Sequence, residues 1–268
     1  MTPFNVILGL ALALLIAALA YQRGTLSFSG AVSATIVGTL IFAVGGFAWA
    51  ILLIAFFVTS SALSHYQARA KEPLAEKFQK GQRRDLGQVL ANGGWGALLA
   101  LAYAFAPQPI LFVAFVGAMA TVNADTWATE LGVLSKTVPR LITNGRMVAI
   151  GTSGGITPFG TFVALGGALL IGVLAFATRL EIGDWRLIPI GTLAGLVGSL
   201  FDSLLGATVQ AIYYCDFDQK ETESAIHRCG RPTHLLRGWR WLDNDWVNFL
   251  ASVVGSTIAM IGYWVIRF

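Results

Sequence analysis

The chain runs to 268 residues, of which 56% are hydrophobic and only 12% charged, with a mean hydropathy of +0.69. Ordinary soluble domains carry about 25% charged residues, so this chain lacks the polar side chains to cover itself as a water-soluble globule. Its formal net charge of +4 does not point to nucleic acid, because the basic residues collect in loops between apolar runs, where they anchor a membrane protein to an anionic leaflet.

Several of those runs approach or exceed the ~20 residues needed to cross a hydrocarbon core of ~30 Å. Every backbone group in that core must be paired internally, and runs of this length select helices over barrel strands. The expected fold is all-α, a polytopic helical membrane protein with a single integral membrane domain over 1–268. In chain order the predicted spans are roughly 4–20, 28–44, 47–64, 87–106, 109–134, 157–178, 188–213 and 246–266, about eight helices. Little more than Gly45 and Gly46 separates the second from the third, so a very short turn is expected there. Ala18-Leu19-Ala20 resembles a leader-cleavage site, but no Lys or Arg precedes the first run, and a leader would place the 65–86 loop outside.

That loop decides orientation. With 65–86 in the cytoplasm, 15 of the 18 Lys and Arg residues lie on the cytoplasmic side, leaving only Arg179, Arg186 and Arg267 outside. A bias of this kind sets topology. It predicts an inner or plasma membrane protein with both termini outside and cytoplasmic loops at about 65–86, 135–156 and 214–245.

The fifth run ends in NADTWATELG, residues 123–132. Carboxylates inside a bilayer are costly and tend to mark function, which singles out Asp125 and Glu130. Asn123, Thr126 and Glu130 share one face of an ideal helix, whereas Asp125 points about 140° away from Glu130. Both acids meet one ligand only if the helix is locally broken or the ligand lies between packed helices. In the seventh run Gly191, Gly195, Ser199, Asp202, Ser203, Gly206 and Gln210 follow the spacing of one face. The glycines alone read as a seam for close helix packing; Asp202 does not fit that reading. Asp125-Thr126 and Asp202-Ser203 each precede the predicted cytoplasmic end of their helix by some ten residues, a faint echo of the internal repeats found in carriers.

Between these runs lies 135–157, rich in turn residues and carrying Lys136, Arg140 and Arg146. It ends in GTSGG just before a helix, so Thr152, Ser153, Gly154 and Gly155 offer close backbone approach next to a helix N-terminus, a favourable setting for an anion. Basic side chains add charge-assisted contacts to phosphate oxygens. The spacing is not that of a Walker loop. Acids beneath an anion cradle suit Mg²⁺, which commonly bridges protein carboxylates to substrate phosphates, and phosphoryl transfer requires chiefly metal, positioning and cationic clamps.

Cys215 and Cys229, the only cysteines, both fall in the 214–245 loop, where a cytoplasmic setting disfavours a disulfide. His227 and His234 are nearby candidate ligands, but the spacing matches no paired-cysteine zinc pattern. An ordinary loop is expected, with a Cys215→Ser/Cys229→Ser chain keeping its fold and most of its activity.

Taken in order, NADTWATELG, PRLITNG, GTSGG, FDSLLGA and LDNDWVN (242–248) resemble the transmembrane protein 19 family over about residues 24–255. That family includes the phytyl-phosphate kinase of tocopherol biosynthesis in plants and cyanobacteria. The resemblance implies a Mg²⁺-dependent transferase that phosphorylates an isoprenoid monophosphate from a nucleoside triphosphate, with CTP favoured, at the cytoplasmic face among membrane lipids. On this reading Asp125, Asp202 and Glu130 are catalytic, and Asp125, Asp202, Asn123 and Glu130 hold the metal. Lys136, Arg140, Arg146, Thr152, Ser153, Gly154 and Gly155 hold phosphate. Thr126, Ser203, Asn244, Asp245 and Asn248 support them. The rival reading is an ion-coupled transporter or lipid-phosphate carrier, which glycine-rich helices and intramembrane acids also suit.

Overall fold

A computed structural model describes residues 2–72, 77, 83–179 and 183–266. Much of the 65–86 loop, including Lys80, and Glu181 and Arg267 therefore lie outside the described residues. The long helices are α1 (Pro3–Gln22), α2 (Phe28–His65), α4 (Leu86–Phe105), α5 (Pro109–Gly132), α6 (Pro158–Ala177), α7 (Leu187–Thr208) and α8 (Asn244–Val265), with a single turn α3 (Ala68–Lys71) after α2. Their starts are written locally. Ser27, Asp85, Thr157 and Asp243 each accept a backbone N–H two or three residues into the helix they precede, which satisfies one of the donors a helix N-terminus leaves open. Pro158 follows Thr157 at the first helical position, where its missing N–H costs nothing.

Among the described residues, six helices (α1, α2, α5, α6, α7 and α8) are long and apolar enough to cross a membrane. α4 is as long as α1 but is not among them. The predicted second and third spans are one helical stretch, α2, interrupted at Gly46, whose φ of 68° and ψ of −157° are far from helical. Ala34 and Phe57, on opposite sides of that break, both pack on the cluster of Ala17, Ala20 and Leu26. A straight helix would hold them about 35 Å apart, so the chain folds back at Gly46. Glycine is required there because side chains rarely adopt this positive φ.

α5 is the axis of the bundle. Every residue from Phe112 to Ala124 is buried, and α6, α7 and α8 pack around it. Lipid tails are as apolar as leucine, so such helices associate by close packing of small residues and not by expulsion of water. A Cβ on Gly195 of α7 would stand 2.7 Å from the Ala168 side chain of α6 and 2.8 Å from the Ala120 backbone of α5. One on Gly117 of α5 would stand 2.5 Å from the Gly255 carbonyl of α8.

Exposed tryptophans mark two levels along the bundle, Trp239, Trp241 and Trp246 at one end and Trp185 and Trp264 at the other. Trp246 and Trp264 lie on one helix about 27 Å apart, close to the thickness of a hydrocarbon core whose interfaces tryptophan prefers. At the first end the 135–157 segment forms an antiparallel pair, β1 (Arg140–Leu141) with β2 (Gly155–Ile156), with Arg140 opposite Ile156. The 214–245 segment builds a small antiparallel sheet of order β4-β3-β5 from β3 (Ile212–Cys215), β4 (Lys220–Thr222) and β5 (His234–Arg237).

Candidate functional site

A cavity of about 820 Å³ opens at the end of the bundle carrying these strands. Its wall is made by the C-terminal portions of α5 and α7, the N-terminal turns of α4, α6 and α8, the 151–157 loop, Ala68, Arg69, Lys71 and Glu72 at α3, and Arg83 and Arg84 before α4. Asp125, Thr126 and Glu130 line it from α5, and Ser199, Asp202, Ser203, Gly206 and Gln210 from α7. Thr152, Ser153, Gly154 and Gly155 line it from the loop, and Asn244, Asp245 and Asn248 from α8. The face of α7 noted in the sequence thus divides by depth. Gly191 and Gly195 pack against Gly172, Ala168 and Ala120, and from Ser199 onward the same face meets the cavity.

Neither α5 nor α7 is broken at its acid, so of the two arrangements, a broken helix or a ligand between packed helices, the second remains. Asp125 and Glu130 share the cavity because the space wraps around the last turns of α5, where residues 125, 126, 128, 129 and 130 all reach it. Asp202 is close enough to Asp125 and Glu223 to interact with both charges. Among the described residues the Asp125 carboxylate accepts only a long hydrogen bond from Ser199 Oγ, at 3.4 Å. Asp202 Oδ2 is buried with no hydrogen-bond partner among the described residues.

Glu130 differs. Its Oε1 accepts from Ser64 Oγ at 2.5 Å and its Oε2 pairs with Lys71 Nζ at 2.6 Å. Lys71 also donates to the Leu63 carbonyl at 2.7 Å. Glu130, expected as a catalytic and metal-holding acid, lines the cavity and is paired there with a lysine of its wall. Asn123 is a second correction. Fully buried, it accepts from Thr59 at 3.0 Å and donates to the Gly167 carbonyl at 2.7 Å, joining α2, α5 and α6. An intramembrane amide must be satisfied internally, and here it is satisfied by helix packing away from the cavity.

The basic residues also change hands. Lys136, Arg140 and Arg146 are exposed and do not line the cavity, and Arg140 donates to the Gly145 carbonyl of its own hairpin at 2.9 Å. Lining it instead are Arg69, Lys71, Arg83, Arg84 and Arg228. Arg84 Nη1 is buried without a partner among the described residues, and burial pushes this guanidinium down to about 10 against the opposing pull of Glu130. It remains charged at neutral pH. Sequence reasoning counted Arg84 for topology only; the usable signal was its place just before the Asp85 cap of α4, followed by Gln88 and Asn92 at i and i+4 on one face.

The GTSGG loop packs closely against α7. Gly154 has a φ of 82°, and a Cβ there would lie 2.4 Å from the Ala207 side chain of α7. Thr152 N–H donates to Ala149 and Gly155 N–H to Thr152, so these amides close turns and are not open to an anion. Ser153 Oγ and Gln210 Nε2 both donate to Glu223 Oε1, at 2.8 and 2.9 Å. Arg237, its guanidinium pulled down by burial, donates to the Gly206 carbonyl at 2.7 Å. Together these contacts lock the loop, the end of α7 and the small sheet into one wall.

Asp125 and Asp202 suit a hard divalent cation. They are oxygen donors on facing helices, hydroxyl-bearing Ser199, Ser203 and Thr126 line the same space, and one carboxylate oxygen is buried without a partner. Two carboxylates close enough to feel each other's charge repel, and a shared cation turns that conflict into attraction.

Comparison with known proteins yields one family profile, described as integral membrane protein DUF92, matching residues 11–256. The chain is 33% identical over 281 residues to Protein PGR of Arabidopsis thaliana, covering 96% of each chain. It is 32% identical over 234 residues to an uncharacterized membrane protein of Methanocaldococcus jannaschii, covering 87% of this chain and 84% of that one. Protein VTE6, chloroplastic, of Arabidopsis thaliana is 26% identical over 247 residues, covering 88% of this chain and 65% of its own. No solved structure matches at a significant level.

Proposed function

The chain belongs to the DUF92 family of integral membrane proteins, and from that premise we propose that it is a prenyl-phosphate kinase, transferring a phosphoryl group from a nucleoside triphosphate, CTP favoured, to an isoprenoid monophosphate such as phytyl phosphate. The observation that carries this reading is a junction of two cavities. The polar cavity adjoins a smaller, almost wholly apolar one between α1, both halves of α2 and the start of α4, and Arg84, Gln88 and Asn92 line both. A lipid phosphate needs such a junction, with its chain among apolar side chains and its head beside a guanidinium and amides.

In the proposed reaction an oxygen of the lipid monophosphate attacks the γ-phosphorus, the bond to the bridging β-γ oxygen breaks, and the nucleoside diphosphate departs. No side chain forms a covalent bond. Arg84 and Lys71 hold phosphate oxygens by charge-assisted contacts, and Asn244, Asp245 and Asn248 face them from α8. Asp125 and Asp202 would hold Mg²⁺, which on binding would neutralise phosphate charge and align the reacting oxygens. The low-dielectric wall strengthens each of these contacts relative to water.

A carrier would be expected to bind its cargo at discontinuous helices, whereas α5 and α7 are continuous. Nucleotide separates the two readings. Purified protein in detergent, given prenyl monophosphates of several lengths with each nucleoside triphosphate and Mg²⁺, is expected to form the matching diphosphate and to stop on addition of EDTA. No diphosphate under any combination, together with lipid or ion movement in liposomes, would establish the carrier instead.

A further inference from the structure

Outside the polar cavity, two tight turns of the small sheet bring four metal-ligating side chains together. The first is the β3–β4 turn, where Cys215 pairs with Lys220 and Gln219 adopts a positive φ of 52°; it carries Cys215 and Asp218. The second is closed by His227 N–H to the Arg231 carbonyl and by Gly230 N–H to the His227 carbonyl, with Gly230 at a φ of 81°; it carries His227 and Cys229. One ligand atom from each of the four lies within 4.8 Å of all the others.

We propose that Cys215, Asp218, His227 and Cys229 bind a structural zinc ion. The two sulfurs are 3.8 Å apart. That is far beyond the ~2.05 Å of a disulfide, and it equals the separation of about 3.8 Å for two thiolates each ~2.3 Å from one ion at the tetrahedral angle. Asp218 Oδ2 completes the cluster at 2.8 Å from His227 Nδ1 and 4.0 Å from Cys215 Sγ. Cys215 and His227 are buried, and His227 Nδ1 also lies 3.5 Å from the Cys229 N–H, so both turns converge on this imidazole nitrogen. Two thiolates, an imidazole and a carboxylate in a closed four-coordinate set fit Zn²⁺ better than the hard cations, which prefer oxygen alone, and the carboxylate disfavours a monovalent soft ion.

The spacing Cys-x2-Asp with His-x-Cys explains why the sequence concealed the site, since an aspartate stands where a paired-cysteine pattern requires a second thiol. His234, the other candidate, sits apart and exposed with Asp216 at 3.2 Å. The ion would fix the cavity roof. Arg228, which lines the cavity, lies between two of the ligands, and Glu223, which holds Ser153 and Gln210, lies on the segment joining the turns. The expectation that both cysteines are dispensable is replaced accordingly.

The test is metal content, which does not depend on the proposed activity. Full-length protein purified in detergent with a histidine-free affinity tag and no chelator is expected to carry about one zinc per chain by plasma mass spectrometry. Asp218→Ala and Cys229→Ser are each expected to lose at least about tenfold in retained zinc at a fixed chelator concentration. His234→Ala is expected to keep it. Thiol-directed mercurial should release the ion from wild type and make the 216–233 segment more sensitive to protease, a readout independent of any variant's folding. Metal-free wild type with two freely titrating thiols, or a Cys215–Cys229 disulfide, would overturn the proposal.

Discussion

The two ends of the helical bundle treat charge in opposite ways. At the Trp185 and Trp264 end, the Arg186 guanidinium meets both oxygens of Asp184, at 2.7 and 3.1 Å, and lies 4.9 Å from the Tyr263 ring. Arg179 covers the Phe112 ring at 4.4 Å. Among the described residues, Arg179, Asp184 and Arg186 there each have a partner within the chain. At the cavity end, among the described residues, Asp202 Oδ2 and Arg84 Nη1 are buried without a hydrogen-bond partner, although the Arg84 guanidinium lies beside the Phe56 and Phe57 rings, and Asp125 accepts one long hydrogen bond. A lone buried charge costs several kcal/mol unless something compensates it. The charges described at one end are satisfied within the chain, and those at the other suit the ligands of the proposed site.

The sharpest way to break this comparison is to ask which end faces the cytoplasm, an all-or-none outcome. A cysteine at Arg146 is expected to react with impermeant thiol reagent only after the membrane is opened, and one at Glu181 from outside, with native Cys215 and Cys229 unlabelled from outside. Labelling at Arg146 in sealed cells would invert the assignment.

Next in size is the loss of a cavity carboxylate. Asp125→Asn and Asp202→Asn keep shape but remove charge, so diphosphate formation is expected to fall by roughly 10³-fold or more with the melting temperature little changed. If the two acids hold one ion as proposed, the double variant should be hardly worse than either single one. Losses that multiply would show that they act separately.

Arg84→Gln removes a guanidinium whose Nη1 has no hydrogen-bond partner among the described residues, and a charged hydrogen bond to phosphate is worth about 1.5–3 kcal/mol. Its kcat/KM should drop by about 10- to 100-fold. A loss of expression instead of a kinetic effect would make Arg84 a structural anchor like Arg186.

The smallest effect belongs to the Trp185 and Trp264 end. Arg186 beside Asp184 holds that carboxyl below the usual carboxylate range. A depressed folded-state pKa contributes stability above the unfolded value of about 3.9, lost as pH falls through the folded value. Asp184→Asn should therefore cost only about 0.5 kcal/mol at neutral pH, with unchanged activity, and the gap between wild type and variant should close below about pH 4. A large activity change would place function at the wrong end.

The sequence by itself determined the class and the candidates. Apolar run lengths, the lopsided Lys and Arg distribution and the Gly45–Gly46 turn were legible because they are local, each set by a few adjacent residues meeting lipid or water. Asp125 and Asp202 stood out for the same reason, a carboxylate in an apolar run being conspicuous without any partner in view. Tertiary structure alone decided what each polar group faces. Glu130 reads like Asp125 in sequence, yet Lys71, 59 residues earlier, occupies it. Asn123 is spent on Thr59 and Gly167, and Arg84 displaces the three basic residues that lie nearer in the chain. Asp218 joins two cysteines across a pair of turns. Satisfaction of a buried polar group is a property of whatever packs against it, and in a bundle whose axis is α5 those neighbours come from anywhere along the chain.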